Sequence, residues 1–190
     1  MKKLLFATFL TATATAAFSQ GNINKGDWML GGNISIASSK YEDIDESQTT
    51  SISISPDAGY FFMNQLAGGL RFSFSSEKVK DMDAESQILA APFLRYYFLS
   101  PAQKVNVFLD ASYGFGSAKF NTLTGSTTES VNNFGVAAGA AVFFTPSTAL
   151  EFALGYNSTG GDAIGDNRFN AIGFNIGFQV HLPGRGGAAK

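Results

Sequence analysis

The 190-residue chain has no cysteine. That excludes a disulfide framework, thiolate-ligated zinc, a cysteine nucleophile and a lipid anchor on an N-terminal cysteine. Histidine is almost as scarce: His181 stands alone, so no histidine-rich metal site can be assembled. Charge is sparse as well. Thirteen Lys and Arg stand against 15 Asp and Glu, only 15% of residues are charged, and the formal net charge is −2. Such a balance offers no basic footprint, so no nucleic-acid partner is expected. Beyond the N-terminus no run approaches 18 consecutive apolar residues, which removes a spanning helix from consideration. A mean hydropathy of +0.05 would suit a soluble protein. Strands that alternate apolar and polar residues average near zero in a membrane too, so hydropathy alone decides nothing.

What the chain does have is glycine and phenylalanine, 21 and 19 residues, in a length that fits one domain. Residues 1–19 read as a secretory signal: Lys2 and Lys3 precede an apolar stretch from Leu4 to Phe18, too short to span comfortably, and Ala17 and Ser19 are small residues placed for cleavage after Ser19. Cleavage leaves 11 basic against 15 acidic residues, a net charge of −4. Residues 20–26 form a short N-terminal segment expected in the periplasm, 27–182 the body, and 183–190 a tail.

From Trp28 the chain repeats one pattern eight times, about ten residues of period-two alternation followed by a break. The apolar phase runs through Trp28, Leu30 and Ile34; Ile52, Ile54, Tyr60 and Phe62; Leu66, Leu70, Phe72 and Phe74; Ile88, Leu94, Tyr96 and Phe98. It continues with Val105, Val107, Leu109 and Phe115; Phe134, Val136, Val142 and Phe144; Leu150, Phe152, Leu154 and Tyr156; and Ile172 to Leu182 at every second residue. The opposite phase is small and polar, as Asn33, Ser35, Ser53, Ser55, Ser73 and Ser112 show. The pattern predicts an all-β protein, an eight-stranded antiparallel up-and-down barrel. An eight-strand barrel has an interior only just wide enough to be filled by side chains or one small ligand. More than thirty large apolar groups overfill it, so the apolar phase is expected to face lipid and the barrel to be transmembrane; the alternative is a soluble barrel or sandwich with that phase inside.

Breaks alternate between long (38–49, 77–86, 119–130, 157–168) and short (63–65, 99–104, 145–148). In outer-membrane barrels short turns lie in the periplasm and long loops outside. Asn64-Gln65, Ser100-Pro101 and Pro146-Ser147 are suitable turn residues.

The last strand has a polar-x-Gly-x-x-apolar-x-apolar pattern, with Asn175, Gly177, Val180 and Leu182 in the marked places. This resembles the signal by which outer-membrane barrels are recognised by the barrel-assembly machinery. With Lys25 to Gly32 and Ser55 to Phe62, the body resembles the OmpA/OmpX-like outer-membrane β-barrel family, the "outer membrane protein beta-barrel domain" proteins, over residues 26–182. The resemblance implies location in the cell outer membrane, contact with its lipid and lipopolysaccharide, a monomeric barrel, and passage through the assembly machinery. One departure is that Pro183 to Lys190 follow the strand on which such barrels often end.

Five charges fall on the inward phase: Asp57, Arg71, Arg95, Asp110 and Glu151. A hairpin pivoting near residue 64 sets Asp57 opposite Arg71, and one pivoting between 102 and 103 sets Arg95 opposite Asp110. They are expected to form a belt of ion pairs across the lumen, a structural belt or a gate that opens by switching partners. Toward the short-turn end, Phe61, Phe93, Tyr97, Phe108 and Phe143 share the inward phase and are expected to close the periplasmic mouth as a floor. Above the belt the wall reads as Ser and Gly. His181 also points inward at that end, the wrong side for the outer-leaflet chemistry of lipid hydrolases, so no catalytic residue and no cofactor is assigned.

The long breaks are acidic. Glu42, Asp43, Asp45 and Glu46 with Lys40 sum to −3; Glu77, Asp81, Asp83 and Glu85 with Lys78 and Lys80 sum to −2. They read as solvated loops, or as oxygen donors for Ca²⁺ or Mg²⁺ bridging to lipopolysaccharide, although no EF-hand spacing is present and no metal site is assigned. The expected function is that of a small non-enzymatic surface barrel acting in envelope integrity or surface interaction through these loops. The alternative is a narrow pore or lateral route for small apolar solutes, as the OmpW-like barrels imply by resemblance.

Overall fold

The computed structural model describes residues 21–39, 49–79, 85–122, 125–162 and 165–184. Eight strands follow in order: β1 (Trp28–Ser39), β2 (Thr49–Met63), β3 (Leu66–Val79), β4 (Glu85–Tyr97), β5 (Val105–Thr122), β6 (Gly125–Thr145), β7 (Thr148–Gly161) and β8 (Gly165–Leu182). Each pairs antiparallel with its neighbours in sequence, and β8 returns to β1 to close the barrel. Closure removes the free edges that an open sheet of these strands would leave in hydrocarbon.

Period-two alternation decides which way each side chain points. Along β1, Leu30 and Ile34 stand outward, 42% and 60% exposed, while Met29 between Trp28 and Leu30 is fully buried inside. The same holds on β4, whose residues alternate between buried and exposed from Ala91 to Tyr97. The exposed apolar groups encircle the barrel, which is stable only if hydrocarbon, not water, bathes them. Aromatic pairs mark the short-turn boundary of that band: Trp28 with Tyr60 at 5.1 Å and Tyr96 with Phe98 at 4.9 Å between ring centroids. Tyr113 and Phe115 pair at 6.2 Å further up β5.

Turn chemistry sets the short end. Gln65 takes the left-handed region (φ 66°) to close the two-residue turn between β2 and β3, and a bulge between Phe61 and Met63 adjusts the register there. A second bulge lies between Phe143 and Thr145, beside Pro146-Ser147. Asn106 braces the turn after β4, accepting from the Leu99 amide at 2.9 Å and donating to the Leu99 carbonyl at 2.8 Å.

Two of the expected long breaks are instead mostly strand. β5 and β6 stay paired out to Thr122 opposite Gly125, and β7 and β8 out to Gly161 opposite Gly165, so 119–130 and 157–168 are hairpin tips of extended ribbons. Beyond the hydrocarbon both faces of a ribbon meet water, so the apolar alternation that marks a strand disappears while the hydrogen-bond ladder continues. β3 likewise runs on to Val79 and β4 begins at Glu85, which shortens the expected 77–86 break from both sides. With strands of up to 21 residues against the roughly 9–11 needed to cross a bilayer, the barrel extends well past the membrane at this end.

One seam is shorter than the rest. β1 and β8 are paired only from Trp28 opposite Leu182 to Ile34 opposite Ile176. Beyond that rung β1 continues to Ser39 paired with β2, and β8 extends back to Gly165 paired with β7. Just below the last rung Gly32 adopts φ +144°, opposite Pro56, where a Cβ would lie 2.7 Å from the proline Cα. Only glycine fits that approach.

Candidate functional site

At mid-barrel β2, β3, β4, β5 and β7 each place one charged side chain in the lumen, and the five join into a chain rather than two separate pairs. Arg71 donates to Asp57 at 3.1 Å and to both oxygens of Asp110 at 3.1 and 3.0 Å. Arg95 takes the other side of Asp110 at 2.9 Å and reaches both oxygens of Glu151 at 2.9 Å. The Tyr97 hydroxyl ends the chain on Glu151 at 3.1 Å. Asp110, 3% exposed, is the shared link. The hairpin registers account for this: Asp57 lies opposite Arg71 and Arg95 opposite Asp110. Three carboxylates against two guanidinium groups leave the belt one negative charge in excess. Gln179, absent from the sequence-based set, donates to Asp57 at 2.7 Å.

The aromatic residues lie directly beneath. Phe93 sits under Arg71, its ring centroid 4.8 Å from the guanidinium carbon, and Phe108 lies 4.6 Å from that of Arg95. Phe61, Tyr97 and Phe143 complete a cluster with Ile23, Met29, Ala67, Ala141 and Ala149, all fully buried. His181 is enclosed by three of these rings, those of Phe61, Tyr97 and Phe143, at centroid distances of 5.9, 6.0 and 5.2 Å. Its Nδ1 lies 3.1 Å from the Asn22 carbonyl oxygen. The Nε2 of His181 and the Oε1 of Gln179 have no hydrogen-bond partner among the described residues.

Ile23 belongs to a segment that alternation could not reveal. Residues 21–27 run across the short-turn end as a strap. The Gly21 amide donates to Pro101 and the Asn22 amide to Pro146, while the Gln65 amide donates to Ile23, so three different turns are tied to one segment. The Asn22 side chain adds bonds to Ser147 Oγ and the His181 carbonyl, and Asp27 accepts from the Gly184 amide at 2.9 Å. The apolar Ile23 plugs the centre while polar neighbours fasten the rim.

Above the belt the lumen opens into a cavity of about 310 Å³ in which hydroxyl and amide side chains, among them Ser53, Ser73, Ser112, Asn133, Asn157 and Asn175, share the wall with small apolar ones such as Ala91, Ala137 and Ala153, with Arg71 and Asp110 at its base. The wall is therefore richer in asparagine than a Ser and Gly reading suggests. Further out it carries an inward apolar patch, Leu89, Ala118 and Val131, which the sequence did not mark. Beside that patch Glu77 stands opposite Glu85 across β3 and β4.

Of the acidic loop residues, Glu85 is the first of β4 and exposed, while Glu42, Asp43, Asp45, Glu46, Asp81 and Asp83 lie outside the described residues, as do the signal segment and most of the tail. Among the described residues no group of three or more His, Cys, Asp or Glu is placed to hold a metal ion. In β8, Val180 and Leu182 face outward, with Leu182 42% exposed, and Gly177 pairs with Asn33 of β1.

The sequence profile described as "Outer membrane protein beta-barrel domain" matches residues 4–181. No curated protein sequence matches the chain. Among solved structures, Neisserial surface protein A (NspA) is similar at 16% identity and a TM-score of 0.56, over 83% of this chain and 97% of that one. The N-terminal β-barrel domain of Pseudomonas aeruginosa OprF is similar at 12% identity and a TM-score of 0.51, over 83% and 98%. At these identities the two structures speak for the fold alone.

Proposed function

This chain belongs to the outer membrane protein beta-barrel domain family and resides in the outer membrane, and from that premise we propose that it is a small non-enzymatic barrel, sealed toward the periplasm, that acts in envelope integrity or surface interaction through its outer loops. The observation that carries this reading is the layered closure of the short-turn end. A charged belt, an aromatic floor and the strap bearing Ile23 lie in series, and Ile23, Phe61, Tyr97 and Phe143 have no exposed surface. A gate working by exchange of belt partners would still face the floor and strap beneath it. The non-enzymatic reading is supported by His181, whose ring lies among three aromatics with its Nδ1 against a backbone carbonyl. On this reading the barrel is a monomer that contacts outer-membrane lipid and lipopolysaccharide and reaches its place through the assembly machinery, which reads Asn175, Gly177, Val180 and Leu182. The acidic loops 38–49 and 77–86 then meet the cell's surroundings, with or without divalent cations.

Planar-bilayer conductance of the refolded protein tests the seal. Silence, or a signal near the detection limit, is expected; a steady, solute-sensitive conductance would overturn it. Deleting both acidic loops should abolish the surface phenotype while leaving heat-modifiable migration intact, and an unchanged phenotype would remove the loops from the function. A second reading, a lateral route for small solutes, is favoured by the short β1–β8 seam.

A further inference from the structure

Two hollows meet where the β1–β8 ladder ends. Inside is the polar cavity above the belt, which reaches Asn33 and Asn175. Outside, an apolar hollow of about 550 Å³ lies over Gly32 and Pro56, walled by Ile34, Ile54, Leu150, Ile176 and Phe178. Asn33 lines both. The wall is recessed here because Gly32 has no side chain and Pro56 opposite it is compact. The last rung joins Ile34 to Ile176, and the next in the same register, Ser35 to Asn175, is not formed. At that level β8 still presents Ile172 and Phe174 outward, 81% and 58% exposed, so the unpaired edges lie in the hydrocarbon band. Backbone groups left open there need hydrogen-bonding partners, because hydrocarbon supplies none.

We propose that the upper β1–β8 seam binds a single-chain amphiphile with an uncharged, hydroxyl-bearing head, such as a monoacylglycerol. The head occupies the polar cavity, the linkage crosses the open rungs, and the acyl chain lies in the hollow over Gly32. Ser73, Ser112, Asn133, Asn157 and Asn175 can donate to and accept from hydroxyls. Both guanidinium groups at the base are held by three carboxylates, so among the described residues that line the cavity no cation is free for an anionic head and the excess negative charge repels one. The ester carbonyl and hydroxyls can satisfy the open backbone edges of β1 and β8. The outer hollow is apolar and suits only hydrocarbon. This inference rests on the lateral-route reading only in using the same seam; it requires binding, not passage.

The absence of cysteine makes the test clean. The protein is folded into phosphocholine nanodiscs containing either 1-monolauroylglycerol or dodecyl phosphate, and retained molecules are counted by native mass spectrometry. One retained monolauroylglycerol per barrel is expected, with dodecyl phosphate weaker by at least about tenfold. The paired substitutions Ser35→Cys and Asn175→Cys should, once oxidised, close the seam and retain about tenfold less than the same variant reduced, a comparison in which the loss of the Asn175 amide cancels. Ser112→Trp, which fills the cavity without touching the seam, provides an independent arm if that disulfide does not form. Equal retention of the two amphiphiles, or retention that neither change alters, overturns the proposal. Retention without solute flux removes the lateral route and leaves the binding site; flux without retention does the reverse.

Discussion

Replacing Arg95 with methionine is the sharpest test of how the lumen is held together. Its side chain is 5% exposed and makes three charge-assisted hydrogen bonds, one to Asp110 and two to Glu151. Asp110 retains Arg71 when Arg95 is lost, but Glu151 retains only the Tyr97 hydroxyl. The belt's excess also grows from one negative charge to two. Removing one partner of a buried pair costs about 3–5 kcal/mol, mainly through the charge left behind. Glu151→Gln on top of Arg95→Met removes that stranded charge and keeps an acceptor for Tyr97. The double variant should therefore be more stable than Arg95→Met alone, and the coupling should fall at roughly 1–3 kcal/mol. Urea titration of the barrel in lipid vesicles, followed by Trp28 fluorescence and by heat-modifiable migration, measures both. A cost below about 1 kcal/mol for Arg95→Met, the range of solvent-exposed pairs, would show that water in the lumen screens the belt and that it is not a buried network.

Three further outcomes follow from the geometry. Phe72→Arg, on the lipid face, should cost about 2–4 kcal/mol, whereas Ser73→Arg, one residue on and facing the lumen cavity, should cost much less; equal penalties in vesicle-folding titrations would contradict the assignment of faces. Ile23→Asp should loosen the strap and raise bilayer conductance above that of the parent with the barrel still heat-modifiable, and unchanged conductance would mean that the aromatic floor seals alone. Gly32→Ala should destabilise the barrel by about 1–3 kcal/mol because the residue sits at positive φ against Pro56, a cost to be read in the same titration; a neutral result would show that β1 can relax there.

The eight strands, their pairing and the direction of the side chains in the membrane-crossing parts could be read from period-two alternation, because hydrocarbon on one side and a packed lumen on the other impose opposite demands on neighbouring residues. The opposition of Asp57 to Arg71 followed from the same counting, since a hairpin's pivot fixes its register. Alternation has nothing to say where both faces meet water, which is why the ribbon around Thr122 and Gly125 read as a loop. It is equally silent on residues 21–27, which have no period and act by lying across the turns. Gln179 was overlooked for a different reason: an uncharged amide gives no charge to match, and its role appears only when Asp57 is seen beside it.

The strap also bears on the order of assembly. Its anchors include His181 and Gly184, some 160 residues along the chain from Asn22 and Asp27, as well as turns that follow β2, β4 and β6. Contacts of such sequence separation form late, since the intervening chain must first be organised. The strap's full set of bonds can form only once β8 is in place. Until then the short-turn rim lacks the bonds that join Asn22 to His181 and Asp27 to Gly184, so the plug at that end is completed by the two ends of the barrel chain meeting.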